Sequence, residues 1–204
     1  MNVELYREDL PDGLTLGDSI AIDSETMGLD PHRDRLCLIQ LSAGDGNCHL
    51  VQFPQGRYDA PNLKRLLTDP GVTKIFHYAR FDLAMIRRYL EVDCKPVYCT
   101  KIASKLSRTY TDRHGLKDIC KELLGVDLSK QQQSSDWGRD TLSPEQLEYA
   151  ASDVLYLHKL RDTLDEMLRR EKRTALAQAA FDFLPTRALL DLDGFAETDI
   201  FAHS

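Results

Sequence analysis

Asp23 and Glu25 stand two residues apart at the end of the apolar run Ser19-Ile20-Ala21-Ile22. In an extended strand that spacing points both carboxylates to one face. Asp82 follows in His77-Tyr78-Ala79-Arg80-Phe81-Asp82, where a strand gives way to a helix. An acid in a first helical turn is also favoured by the helix dipole alone. Tyr149 and Asp153 are four apart in a helical stretch, so the phenol and the carboxylate share a face, one turn from each other. Leu147, Ala150, Ala151, Val154 and Leu157 fill much of that helix, and an isolated acid among them is costly unless it meets a cation. Carboxylates are the hard oxygen donors that suit Mg²⁺ or Mn²⁺. Each spacing alone is one that chance supplies about once in such a chain, so the chemistry depends on whether the fold brings the acids together.

The elements that must position them follow from periodicity. The pattern predicts strands over 19–25, 35–43 and 48–53, the last two joined by the turn Gly44-Asp45-Gly46. A helix starts at Pro61 and stops at Asp69-Pro70-Gly71. A strand over 72–77, a helix from about 80 to 90 and a short strand over 96–100 come next. After Thr100 the apolar period changes from two to about 3.6. Helices are expected over 101–108, 115–124, 130–137 and from Pro144 to about Arg170. The last opens on Ser143-Pro144-Glu145-Gln146, with serine at the cap, proline in the first turn and glutamine at the third position. Strands, then strands alternating with helices, then helices alone imply an α/β fold: a mixed five-stranded sheet flanked by helices, with a helical C-terminal part. A chain of 204 residues, 42% of them hydrophobic, fits a single domain. Its core would lie at about 19–170, with an extension over about 171–204 that either wraps the domain or meets another subunit.

Lys and Arg total 26 against 33 Asp and Glu, a net charge of −7. Proteins that grip long nucleic acid through its backbone show a basic footprint, because neutralising phosphates supplies the affinity. That class is disfavoured; nucleic acid, if engaged, is held over few phosphates or through metal ions. No apolar run approaches the roughly 18 residues of a membrane span. The amino end lacks the basic and apolar regions of a secretion signal, so a cytoplasmic protein without membrane contact is expected. Cys37, Cys48, Cys94, Cys99 and Cys120 include no C-x-x-C pair and are expected as reduced, mostly buried thiols.

Taken in chain order, D-x-E after the first strand, H-x-A-x-x-D between strand and helix, and Y-x-x-x-D on a late helix form a combination that resembles the tyrosine-bearing branch of the DEDD superfamily of 3′→5′ exonucleases. The resemblance spans about residues 19–165. It implies the ribonuclease H-like fold of the DnaQ-like exonucleases and a site built from Asp23, Glu25, Asp82, Tyr149 and Asp153. It also implies two divalent cations, Mg²⁺ or Mn²⁺, about 4 Å apart, able to activate water and stabilise a leaving 3′-oxygen. On that pattern Asp23 bridges both ions, Glu25 and Asp153 hold the ion beside the nucleophile, and Asp82 holds the other. Tyr149 orients the attacking water, because a phenol of pKa near ~10 is a poor base at neutral pH.

Within this superfamily, the stretches HRDRLCLIQLS, TKIASKLSRTYTDRHGLK, SKQQQSSDW and AETDIFAHS are similar to the compact alpha-proteobacterial enzymes of the nano-RNase C family. That similarity implies cleavage of very short oligoribonucleotides, diribonucleotides above all, into mononucleotides by a closed homo-oligomeric ring, an octamer. Ribonuclease D itself usually adds helical nucleic-acid-binding (HRDC) domains, and none is expected here. A general exonuclease acting on longer RNA or DNA ends, and a catalytically silent RNA-binding module, are the competing readings.

Thr100 to Lys117 is the one basic stretch. Lys101, Lys105 and Arg108 fall at i, i+4 and i+7 along one helical face, Ser104 adds a hydroxyl, and Arg113 and His114 follow in a loop. Two readings fit: a solvated basic face, or a rim gripping the phosphates of short single-stranded RNA beside the metals. His77 and Gln133 are further candidate substrate contacts. Leu29, six residues past Asp23, is either a wedge between the two terminal bases or a plain loop leucine. Trp137 is expected as a core or interface anchor.

Overall fold

The computed structural model describes residues 2–129 and 131–203. Six strands make one mixed sheet: β1 (Asn2–Arg7), β2 (Ser19–Thr26), β3 (Leu36–Ser42), β4 (Asn47–Gln52), β5 (Thr73–Phe76) and β6 (Val97–Cys99), in the order β1-β4-β3-β2-β5-β6. β2, β3 and β4 form an antiparallel meander; β1 adds in parallel to β4, and β5 and β6 in parallel on the other side. The helices are α1 (Pro61–Thr68), α2 (Ala79–Leu90), α3 (Thr100–Ser107), α4 (Leu116–Leu124), α5 (Pro144–Leu155), α6 (Leu157–Arg170) and α7 (Thr174–Leu190). Every residue of β3 is buried, so helices cover both faces of the sheet. α5 packs across β2, β3 and β4, while α2 packs on β3, β5 and β6.

The mixed, helix-flanked sheet is the expected architecture, with one strand more than expected. The extra strand is β1. It is an edge strand with mostly exposed side chains and no alternation of burial, held by its register on β4, where Val3 faces Cys48 and Leu5 faces Leu50.

Two helical expectations are corrected. The long helix from Pro144 is broken at Tyr156, whose φ of −104° and ψ of −4° separate α5 from α6. Over the expected helix 130–137, residues 131–137 form turns instead, and Lys130 lies outside the described residues. That polar segment offers a helix no apolar stripe beyond Trp137. It is tied to the sheet by other means: Arg35 donates to the Gly138 carbonyl at 3.1 Å, and Gln52 to the Arg139 carbonyl at 2.8 Å. From α5, Gln146 donates to Ser135 Oγ at 3.0 Å.

The chain beyond α6 is ordered as α7 and a turn at Asp191–Phe195. Asp191 fastens that turn by accepting from Arg80 at 2.6 Å and from Arg187 at 2.7 Å. All five cysteines are buried and unbridged. Among the described residues no helix is long and apolar enough to cross a membrane.

Candidate active site

β2 carries Asp23 and Glu25 on one face, and α5 brings Asp153 to them. One carboxylate oxygen from each of the three lies within 4.8 Å of the others. α5 is fixed at its start by a capping box between Ser143 and Gln146. It approaches the sheet closely because Ala150 and Ala151, both fully buried, put almost no side chain between them. Tyr149 lies one turn before Asp153, close enough for each to shift the other's titration. Its ring leans on the buried Trp137, with centroids 6.1 Å apart. Asp82 sits in the first turn of α2 and is buried. The Ser24 hydroxyl donates to its Oδ1 at 2.5 Å. Asp82 stands outside the three-oxygen cluster, yet close enough to Asp23 to feel its charge.

Burial raises all four acids, and repulsion from neighbouring acids adds to it at Glu25, Asp82 and Asp153. Burial pushes the Asp23 carboxyl up to about 7, against a lowering hydrogen bond from the Ser24 backbone. Glu25 is raised well above the usual carboxylate range by burial and then by the charges of Asp23, Asp153 and Asp82. Asp82 and Asp153 are raised by burial and by Asp23. Burial and the same acids raise the Tyr149 phenol, so at neutral pH it keeps its proton and can donate. A nest of carboxylates, Asp82 buried and the other three half-buried, each destabilised as a bare anion and each a hard oxygen donor, fits divalent cations.

Sequence reasoning missed Gln40. It stands opposite Asp23 in the β2–β3 register and is fully buried. Its Nε2 donates to Asp23 Oδ2 at 3.3 Å and to Glu25 Oε1 at 3.5 Å. The signal was available as the one amide inside the apolar strand Leu36-Cys37-Leu38-Ile39-Gln40-Leu41.

Asp23, Glu25 and Asp153 open into a cleft of about 650 Å³. Leu29, His77, Lys101 and Gln133 also line it, so the fold gathers these four around the carboxylates. Leu29 comes from the loop after β2 and is 84% exposed. His77, at the end of β5, bonds Thr100 Oγ1 through Nδ1 at 2.9 Å, and burial lowers its pKa to about 3, leaving the ring neutral.

The other basic candidates do not share that cleft. Arg108 is fully buried and donates to Ser104 Oγ at 2.9 Å, to the Arg113 carbonyl at 2.8 Å and to Glu122 at 2.5 Å. Placing it on a helical rim assumed that the helix runs to residue 108. α3 ends at Ser107, and Arg108, at φ −107° and ψ 61°, turns inward. Ser104 is buried too and bonds the His114 ring at 2.9 Å, so both belong to the scaffold of the loop after α3. Arg113 is exposed and does not line the cleft, and Lys105 borders a separate hollow against α7.

Residues 8–169 match the family described as 3′-5′ exonuclease. Among curated proteins, ribonuclease D of Granulibacter bethesdensis is 30% identical over 156 residues, 76% of this chain and 39% of that protein. DNA polymerase I of Aquifex aeolicus is 35% identical over 150 residues, 72% of this chain and 24% of that protein. The chain thus spans less than half the length of these relatives. Among solved structures, Brucella melitensis NrnC with bound Mg²⁺ aligns over all of both chains with a TM-score of 0.96 and 56% identity. Brucella melitensis NrnC bound to pGG does so with a TM-score of 0.97 and 57% identity. Escherichia coli RNase D aligns over 84% of this chain and 45% of its own, with a TM-score of 0.75 and 28% identity.

Proposed function

The chain belongs to the 3′-5′ exonuclease family, and from that premise we propose that it hydrolyses short single-stranded oligoribonucleotides, diribonucleotides above all, to nucleoside 5′-monophosphates with two divalent cations, Mg²⁺ or Mn²⁺. The observation that carries this reading is the meeting of Asp23, Glu25 and Asp153 oxygens within 4.8 Å, in a cleft that Tyr149 and Leu29 also line.

Asp23, Glu25, Asp82 and Asp153 would hold the cations. Cations there supply the charge that acidifies water and screens a departing oxygen. Tyr149 keeps its proton and orients the attacking water through its hydroxyl. The water oxygen bonds to phosphorus as the bond from phosphorus to the 3′-oxygen breaks. The water's proton ends on that 3′-oxygen, giving a 5′-monophosphate and a chain shortened by one residue. Leu29 projects an apolar side chain into the mouth of the cleft, where it can part the last two bases. Lys101 offers its ammonium to phosphate.

The preference for short chains is supported by the end-to-end similarity to NrnC, of which one structure holds pGG, and by the acidic net charge. A closed homo-oligomer, an octameric ring, belongs to the same proposal: Leu176, Leu189, Ile200 and Phe201 leave apolar surface exposed in the C-terminal part, which further copies would cover. A product time course on 5′-labelled RNAs of about two to about twenty nucleotides, with Mg²⁺, Mn²⁺ or EDTA, tests the reading. Fast cleavage of the two-mer and slow cleavage of longer chains is expected; equal rates at all lengths would leave a general exonuclease of the ribonuclease D kind.

A further inference from the structure

Ser24 stands between Asp23 and Glu25 in β2. The pleat that turns those two carboxylates to one face of the strand turns the Ser24 hydroxyl to the other. There it meets Asp82 from the first turn of α2, and it donates to Asp82 Oδ1 at 2.5 Å. Both residues are buried. To an ionised Asp82 this is a charge-assisted bond, roughly twice as strong as one between neutral groups.

Around Asp82 the helix is apolar: Ala79, Leu83, Ala84, Met85 and Ile86 are all buried. Among the described residues no other side chain bonds the Asp82 carboxyl. Gln40 serves Asp23 and Glu25 from β3, whereas Asp82 stands outside the cluster that those acids form with Asp153. The direction of the fourth acid therefore depends on a hydroxyl that core packing does not require.

We propose that Ser24 is a positioning residue for one of the two cations: its hydroxyl occupies one oxygen of Asp82 and fixes the carboxylate, leaving the other oxygen to a cation shared with Asp23. The inference rests on the exonuclease reading above and adds to that site a residue that touches neither cation nor substrate. Three consecutive residues of β2 then serve the metal site from both faces of the strand, the outer two as ligands and the middle one through Asp82. Loss of the hydroxyl weakens the cation on the Asp82 side and spares the one held by Asp23, Glu25 and Asp153.

The test is a titration of Mn²⁺ into the protein with adenosine 5′-monophosphate present, followed by calorimetry and by electron paramagnetic resonance. The wild type should take up two ions in separable steps and show the spectrum of a coupled pair. Ser24→Ala should weaken one step roughly 10–100-fold, the usual scale for losing the partner of a metal ligand, and leave the other step unchanged. The coupled spectrum should then appear only at the higher Mn²⁺ concentration. Ser24→Thr, which keeps a hydroxyl on a side chain suited to strands, should restore both steps. In an Asp82→Asn background, Ser24→Ala should cost little further affinity, because the ligand it serves is already impaired.

Unchanged Mn²⁺ affinity in Ser24→Ala would overturn the proposal. So would an equal weakening of both steps with a lower melting temperature, or the same loss in the Asp82→Asn background as in the wild type, since either makes Ser24 a packing residue. A wild type that binds no pair of ions would instead refute the two-cation reading of the four acids, and the role of Ser24 with it.

Discussion

Gln40 faces Asp23 across the β2–β3 ladder and gives its amide to the carboxylate at 3.3 Å, with Glu25 sharing the same donor at 3.5 Å. A fully buried amide thereby fixes the rotamers of two acids that repel each other, before any cation is present. Gln40→Leu removes the donor at nearly constant volume. Affinity for Mg²⁺ or Mn²⁺, measured by calorimetry, should fall roughly 10–100-fold, the usual scale for losing such a partner. Unaltered affinity would reduce Gln40 to packing.

Asp23→Asn should fold and lose nearly all cleavage, by more than the roughly 100-fold that losing an outer partner costs. In EDTA the variant should melt no lower than the wild type, because it removes a buried acid whose ionised form is disfavoured. Wild-type turnover in Asp23→Asn would contradict the assignment.

The pH dependence of stability follows from the sign of the Asp23 shift. Its folded pKa, about 7, lies above the unfolded carboxylate value near ~3.9, so the folded chain holds the proton more tightly. The stability this contributes is complete below the unfolded value and is lost as pH rises through about 7. Glu25, Asp82 and Asp153 act in the same direction. Thermal melts in EDTA should therefore decline from about pH 5 to about pH 8, and Mg²⁺ should restore most at the upper end. A flat profile would count against a shared acidic nest.

Tyr149→Phe keeps the ring against Trp137 and deletes the hydroxyl. Turnover should drop strongly while calorimetry still records cation binding. The wild-type pH–rate profile should show no limb from a tyrosinate base near neutrality, because the phenol is raised further from neutrality than usual.

Arg108→Ala tests the inward placement of that side chain. Glu122 is 41% exposed, so its ion pair contributes little; the cost arises from the void and from the unpaired Ser104 and Arg113 acceptors. A loss of roughly 2–3 kcal/mol in denaturant unfolding is expected. A rise in KM at unchanged stability would return Arg108 to a substrate-facing role.

The order of the three acidic motifs and the period of the strands were legible because each depends on spacing that a single element preserves. Asp23 with Glu25, and Tyr149 with Asp153, needed only the pleat and the helical turn. What was hidden depends on contacts between distant segments. β1 is held by backbone pairing that its side chains do not advertise. The break at Tyr156 has neither proline nor glycine to announce it. Arg108 belongs to a helical face only if the helix continues, and it stops one residue earlier. Tyr78 reads as an ordinary aromatic until its left-handed backbone, φ 67° and ψ 45°, is known.

Arg35 gives the mouth of the cleft its permanence. Its carbonyl accepts from the Met27 backbone at 3.0 Å, and its guanidinium reaches the Gly138 carbonyl at 3.1 Å, joining the loop that bears Leu29 to the one that bears Gln133. A β-carbon on Gly28 would come 2.2 Å from Asp34, so the first loop has no slack of its own. Two pieces of chain a hundred positions apart thus meet through one residue, like the halves of a collar. Redesigning the enzyme for bulkier cargo would mean recutting both halves of that collar together, since loosening either alone would let the leucine drift from the mouth of the cleft.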